Sequence, residues 1–235
     1  MKTTIKLLTA LLCFVSINVF AQSTDEIVNK HIEAVGGRVN WDKIKSIRME
    51  NTLKSEGAEI HITIVQLDKK AMRQDISVMG MNGYSIINNK EGWNYMPWQG
   101  QTKAEAMTAD DVKNSQNDLY IQDDFITYKE LNKKLESFGK DDIDGTDCYK
   151  MKMTDTNGNE TTYYLDANNF YIIKQTKKQT ADGKVVENST FFADYKKLDQ
   201  GIVFPMSVTG NWGESQVTKI EVNPTIDESI FKVAQ

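Results

Sequence analysis

Histidine is the first residue type to consider for catalysis or metal binding, and the 235-residue chain contains two, His31 and His61. His31 falls on the apolar side of a predicted helix and has no partner at ligand spacing. This favours a core histidine bonded to a backbone carbonyl over a metal ligand. His61 shares the polar side of a predicted strand with Glu59 and Thr63, which indicates a solvated side chain. Neither histidine predicts a hydrolase triad or a zinc site.

Acidic residues offer the next candidates for chemistry. Asp142, Asp144 and Asp147 surround Gly145, but the glycine follows Asp144 directly and Met153 stands where a calcium loop needs its bidentate glutamate. A turn explains this segment better. The chain has 33 acidic residues, yet no spacing singles out a catalytic pair. It also lacks a nucleophile elbow, a phosphate-binding glycine loop and a Cys-x-x-Cys motif. We therefore expect no catalytic residue, no metal site and no cofactor.

Large apolar side chains are concentrated between residues 79 and 107. Methionine and tryptophan adapt to irregular shapes, which suits a surface that accepts flexible apolar ligands. An ordinary core whose gaps are filled by methionine explains the same composition. The candidate ligand-binding residues in this stretch are Met79, Met81, Trp93, Tyr95, Met96, Trp98 and Met107.

The N-terminal segment, residues 1–21, predicts a cleavable secretory signal peptide. Lys2 and Lys6 precede an apolar run over 7–20, and cleavage is expected after Ala21. A membrane anchor is the alternative, but the run is shorter than the roughly 20 residues of a spanning helix, and charged residues follow it from Asp25. Export to the periplasm is the expected outcome.

Removal of this segment would leave Cys148 as the only cysteine, because Cys13 lies in the signal peptide behind a leucine unsuited to lipid attachment. Cys148 is expected to be a small apolar strand residue. The remaining chain has 26 basic and 33 acidic side chains, a net charge of −7. An acidic chain without a basic cluster is unlike a nucleic-acid-binding protein. We expect a monomer that binds no nucleic acid.

The sequence patterns predict a mainly β architecture, and its elements must position any binding residues. Thr24 predicts the cap of a first helix that ends at Gly36-Gly37. The period at which apolar residues recur then changes from 3.6 to 2. Five strands between residues 47 and 98 predict a meander. Helices are predicted near Thr108–Asp111 and over Asp123–Leu135, where they could cover one face of the sheet.

Strand patterns resume after these helices and continue almost to the C-terminus. Asn157-Gly158 and Asp182-Gly183 predict hairpin turns. Pattern counting gives about eleven strands, arranged as an antiparallel sheet with one wet face rather than a βαβ fold. Ile226, Ile230 and Phe231 are predicted to pack the tail against the sheet. Residues 22–235 are interpreted as one domain.

Several segments resemble the periplasmic lipoprotein-carrier superfamily, which includes the outer-membrane lipoprotein-sorting proteins. Lys69-Lys70-Ala71-Met72-Arg73-Gln74-Asp75 is similar to the family's basic strand, and Asn88 to Pro97 is similar to the hairpin that follows it. Softer similarities are found in Gly145 to Met151, Thr162 to Asp166 and Gly201-Ile202-Val203-Phe204-Pro205.

The resemblance implies a curved, incomplete antiparallel barrel covered by helices, with acyl chains held in between. It also implies that Arg73, which matches the family's gating arginine, lines the cavity. The alternative is a solvent-facing arginine beside Asp75, since alternating strand residues share a face.

Three functions follow from these observations. The first is a non-enzymatic carrier of lipid or lipoprotein acyl chains, acting in outer-membrane lipoprotein sorting or lipid transport. The second is an envelope sensor or protein-interaction domain of the same fold. The third is a hydrolase that uses carboxylates alone, which the absence of a marked carboxylate pair disfavours.

Overall fold

A computed structural model describes residues 23–181 and 184–233. The predicted signal peptide, its cleavage site and the Asp182-Gly183 turn lie outside the described residues. Four short helices are assigned within them. These are α1 (Thr24–Ala34), α2 (Arg38–Trp41), α3 (Ala109–Asn114) and α4 (Asp124–Thr127). No helix of the described ranges has both the length and the apolarity needed to cross a membrane.

The strands form one antiparallel sheet. In chain order they are β1 (Ser46–Ser55), β2 (Ala58–Leu67), β3 (Ala71–Val78), β4 (Met81–Asn88), β5 (Gly92–Tyr95), β6 (Glu105–Ala106), β7 (Lys134–Ile143), β8 (Thr146–Thr154), β9 (Glu160–Asp166), β10 (Ile172–Ala181), β11 (Lys184–Lys197), β12 (Val203–Gly210) and β13 (Gly213–Val222). Their order across the sheet is β6-β5-β4-β3-β2-β1-β13-β12-β11-β10-β9-β8-β7. Strands β1 and β13 pair in the middle, so β6 and β7 remain as edges and the sheet is an open, incomplete barrel. The predicted architecture and the five-strand meander are confirmed.

The first helix begins and ends where its sequence indicates, with a shift of one residue at the start. The Ser23 side chain, rather than that of Thr24, caps α1 by accepting a hydrogen bond from the Glu26 amide at 3.2 Å. Gly36 and Gly37 follow with φ of 106° and 83°, a region that glycine enters without a steric penalty. The helix places Ile27, Val28 and Ile32 in the core.

Pattern counting predicted about eleven strands, and the two that it missed in the 13-stranded sheet are β6 and β7. The predicted helix over Asp123–Leu135 was wrong beyond its first turn, because α4 ends at Thr127 and β7 starts at Lys134. Most residues of β7 are exposed, so the edge strand has no apolar alternation to reveal it. Pairing with β8 therefore overrides a weak helix propensity. The other missed strand, β6, has only two residues.

Two apolar clusters lie on opposite faces of the sheet. The larger cluster joins α1 and α4 to strands β8 to β10, with Phe125, Met151 and Leu165 fully buried. We call the face under these helices the covered face. The smaller cluster places Phe231 against Val65 and Ile86, with Ile226 and Ile230 packed beside it. The prediction that the C-terminal tail packs against the sheet is confirmed, and we call this second face the tail face.

Candidate functional site

An apolar cavity lies between α1, the segment 117–124 and the covered face. Its volume is about 470 Å³, within the roughly 300–1,000 Å³ typical of ligand cavities. Its apolar walls are Val35, Trp41, Met72, Ile121, Ile172, Phe192, Val203, Phe204 and Pro205. Such a lining suits a hydrocarbon chain, which is excluded from water without needing hydrogen bonds.

Strand register extends this apolar surface beyond the cavity. Gln74 lines the cavity and pairs with Ile64 of β2, and residues directly opposite each other share a face of the sheet. By the same register, the covered face includes a row of half-buried apolar side chains, which we call the apolar stripe. Its members are Leu53, Ile60, Ile62, Ile64, Ile76 and Val78. An apolar ligand longer than the cavity could lie along it.

His31 connects the covering elements beside the cavity. Its Nδ1 lies 2.7 Å from the Phe170 carbonyl oxygen and its Nε2 lies 2.9 Å from Oδ2 of Asp123. Burial lowers the pKa of His31, but the Asp123 charge and these hydrogen bonds outweigh it, so the pKa lies above its ordinary value. Because both ring nitrogens face acceptors, the imidazolium form satisfies both contacts. The predicted core histidine bonded to a backbone carbonyl is confirmed.

Asp124 forms the second polar link under α4. Nζ of Lys133, whose side chain is 6% exposed, lies 2.5 Å from Oδ1. The Tyr163 hydroxyl donates a short hydrogen bond to Oδ2. Burial and the nearby Asp124 charge raise the pKa of Tyr163 well above its ordinary value. This hydroxyl therefore remains protonated at neutral pH and acts as a structural donor.

Two further predictions concern groups with possible reactivity. Cys148 is a free, buried cysteine, and burial with nearby aspartate charges raises its pKa to about 11. It is therefore a poor nucleophile at neutral pH, in line with its predicted packing role. His61 is exposed and lies 3.4 Å from Glu59. Within residues 23–181 and 184–233, no group of three or more histidine, cysteine or acidic residues could hold a metal ion.

Arg73 lies on the tail face. It alternates with Met72 and Gln74, which line the cavity on the other side of β3. Its guanidinium pairs with Asp75 at 2.7 Å and donates a hydrogen bond to the Ile230 carbonyl at 2.8 Å. The alternative of a solvent-facing arginine beside Asp75 is right about the neighbour, but the side chain is only 21% exposed because it also contacts the C-terminal tail.

The other predicted ligand-binding residues divide between the two faces. Trp93 and Tyr95 lie opposite Ile86 and Tyr84, on the tail face. Trp98 packs on the other face against Gly83, where an added Cβ would lie 2.7 Å from the indole ring. The hairpin tip of β3 and β4 carries Met79, which is 84% exposed.

The remaining methionines are also dispersed. Met81 pairs with Val78 at the end of the apolar stripe, and Met107 packs against Gly92. Met96 is half-buried before a short 3₁₀ turn. None of the eight predicted residues lines the 470 Å³ cavity. Their assignment to ligand binding stays a prediction.

The cavity residues that sequence patterns missed come from distant segments. Met72 is on β3, Phe192 is on β11, and Val203 to Pro205 are on β12. One signal was available, since Gly201 to Pro205 is among the segments that resemble the carrier superfamily. Composition pointed elsewhere because the cavity is assembled by long-range pairing and is lined by none of the clustered methionines.

Solved structures with this architecture decide the fold. The chain is similar to a LolA superfamily protein from Nitrosomonas europaea, with a TM-score of 0.56, 11% identity and coverage of 90% of this chain and 98% of that one. A putative outer membrane lipoprotein-sorting protein domain from Vibrio parahaemolyticus has a TM-score of 0.53, 14% identity and coverage of 88% and 94%. The chain has the lipoprotein-carrier fold.

A third solved structure agrees with this assignment. A DUF1329 family protein from Desulfovibrio piger is similar to this chain, with a TM-score of 0.56 and 12% identity. The match covers 88% of this chain and 96% of that one. No protein-family model and no curated protein matches the sequence. The resemblance drawn from short sequence segments is thus confirmed at the level of the fold.

Proposed function

We propose that this protein is a non-enzymatic carrier, exported to the periplasm, that holds lipid or lipoprotein acyl chains in the apolar cavity. The observation that carries the proposal is the cavity of about 470 Å³ between the covering helices and the sheet, continued by the apolar stripe. The carrier fold supports it, because the solved structures with this fold include a putative lipoprotein-sorting domain. The cargo would serve lipoprotein sorting or lipid transport.

The physical requirement on such a carrier is strict. Acyl chains in water cost about 0.8 kcal/mol per exposed CH₂ group, so the protein must offer apolar surface and hide it when empty. Half-buried isoleucines along β2 meet the first requirement, and the elements that close the cavity meet the second. The polar links of His31 and Asp124 lie at the cavity wall, where they hold the covering helices in place.

Adjacent phenylalanines on β11 provide a matched test. Phe192 lines the cavity, whereas Phe191 is 38% exposed and pairs its ring with Lys174 on the other face. In a fluorescent fatty-acid titration, Phe192→Gln should weaken binding by about tenfold, since one large apolar contact is worth roughly 1.5–3 kcal/mol. Phe191→Gln should leave the affinity unchanged. Equal affinities for the two variants, with folding confirmed by circular dichroism, would contradict the proposal.

Lipid transfer between vesicles distinguishes a carrier from the alternative, an envelope sensor of the same fold. A carrier should accelerate movement of a fluorescent lipid from donor to acceptor vesicles, and Phe192→Gln should slow that transfer. A sensor should bind a protein partner without accelerating transfer. Binding of acyl ligand without any vesicle-to-vesicle transfer would therefore favour the sensor.

A further inference from the structure

A second cavity adjoins the apolar one and has the opposite character. It has a volume of about 400 Å³, and Asn117, Asp118 and Asp124 line both cavities. Strands β9 and β10 run from one to the other. Tyr163 and Gln175 line the apolar cavity, while the polar cavity is lined further along the same strands. A single amphiphilic molecule could therefore reach both spaces.

Most charged groups of the polar cavity already have partners. Lys133 is bonded to Asp124, and Lys178 lies 3.1 Å from Glu187. Glu160 lies 3.0 Å from Lys152, and the Asp155 carboxylate accepts hydrogen bonds from its own turn. These groups fix the shape of the cavity but offer little free hydrogen-bonding capacity.

Lys177 and Asp118 are different. Both residues are exposed, and within the described part of the chain neither the Lys177 ammonium nor the Asp118 carboxylate forms a hydrogen bond or an ion pair with another protein group. Desolvation raises the pKa of Asp118, and the positive charge of Lys177 opposes that shift. One ammonium and one carboxylate thus line the same cavity without a direct ion pair between them.

We propose that this polar cavity binds the headgroup of a zwitterionic phospholipid, with its phosphate at Lys177 and its ammonium at Asp118, while an acyl chain occupies the apolar cavity. The inference rests on the proposed carrier function and adds a ligand class to it. A phosphate beside a lysine and an ammonium beside a carboxylate form charge-assisted hydrogen bonds, which are stronger than neutral ones.

The balance of charge argues for a headgroup with both signs. Four acidic residues line the cavity, Asp118, Asp124, Asp155 and Glu160, against three lysines. A purely anionic headgroup would meet an excess of negative charge. An uncharged headgroup would displace water from Lys177 and Asp118 without replacing its hydrogen bonds, which costs binding free energy.

Three amphiphiles with the same single acyl chain test the inference by calorimetric titration. They are lysophosphatidylethanolamine, the anionic lysophosphatidylglycerol and the uncharged monoacylglycerol. Lysophosphatidylethanolamine should bind about fivefold more tightly than either, the factor expected for contacts between partly solvated charges. Lys177→Gln and Asp118→Asn should each remove most of this preference. Lys174→Gln, which removes a charge from the other face of β10, should preserve it.

The other outcomes are distinguishable. Equal affinity for the three amphiphiles, or preferences that survive both Lys177→Gln and Asp118→Asn, would overturn the headgroup site and leave acyl binding intact. Lysophosphatidylglycerol binding as tightly as lysophosphatidylethanolamine would overturn the role of Asp118. Failure of all three amphiphiles to bind would overturn the proposed carrier function itself.

Discussion

Nε2 of His31 in α1 lies 2.9 Å from Oδ2 of Asp123, the residue whose side chain also caps α4. One imidazole thus joins the first helix to the segment that closes the cavity, and its other nitrogen is bonded to Phe170. The two His31 contacts connect residues that are 92 and 139 positions apart in sequence. They make the covering helices one packed unit above the sheet.

The His31 pair predicts a stability that depends on pH. Because the pKa of His31 is raised in the folded protein, the pair stabilises fully below the unfolded pKa of about 6.5. This contribution is lost as pH rises through the higher folded pKa. Urea unfolding should show wild-type stability declining above about pH 6.5 more steeply than that of His31→Gln.

The same variant should be about 2 kcal/mol less stable than the wild type at pH 6, because the hydrogen bonds of the buried imidazole to Phe170 and Asp123 are lost. His61→Gln is the control, since that histidine is 65% exposed. A wild-type stability that rises between pH 6.5 and 9, relative to His31→Gln, would contradict the assigned protonation state.

Asp124 predicts a different pattern of mutational effects. Asp124→Asn should destabilise the protein by about 3 kcal/mol, because Lys133 would remain buried without a carboxylate. Tyr163→Phe should cost less, about 1 kcal/mol, since it removes one hydrogen bond and keeps the ion pair. Urea unfolding at pH 7 measures both. A larger loss for Tyr163→Phe than for Asp124→Asn would contradict this ranking.

Substitution of Arg73 tests whether this residue controls ligand release or holds the C-terminal tail against the sheet. Arg73→Leu removes the ion pair with Asp75 and the hydrogen bond to the Ile230 carbonyl. We expect a loss of about 1 kcal/mol and faster limited proteolysis within residues 226–233. Fatty-acid affinity should not change, because the side chain faces away from the cavity. Arg48→Leu, at an exposed position on β1, is the matched control, and slower ligand release from Arg73→Leu alone would support a gate.

Local sequence signals predicted the elements whose pattern reflects their surroundings. The caps of α1, the alternation in β1 and β2 and the Asn157-Gly158 turn between β8 and β9 are local features, and each has a place in the structure. Strand β7 was not predicted, because an exposed edge strand has no alternation of apolar and polar residues. Its pairing with β8 depends on residues outside its own segment.

The cavity could not be located in the same way. Met72, Phe192 and Phe204 come together only through pairing across several strands of the sheet. Clustered methionines and tryptophans marked a different part of the chain, where Trp98 and Met107 instead fill space over glycines. Residue composition therefore identified apolar material but not its side of the sheet, which strand register determines.

The central claim, that acyl chains lie on the covered face, is tested most directly by photo-crosslinking with a diazirine-labelled fatty acid and peptide mass spectrometry. Adjacent residues on opposite faces are the internal controls. We predict adducts on Met72 and Phe192, which line the cavity, and none on Arg73 and Phe191. Competition with unlabelled fatty acid should remove these adducts. Adducts concentrated on Arg73, Tyr84 and Tyr95, around the smaller cavity of the tail face, would contradict the account.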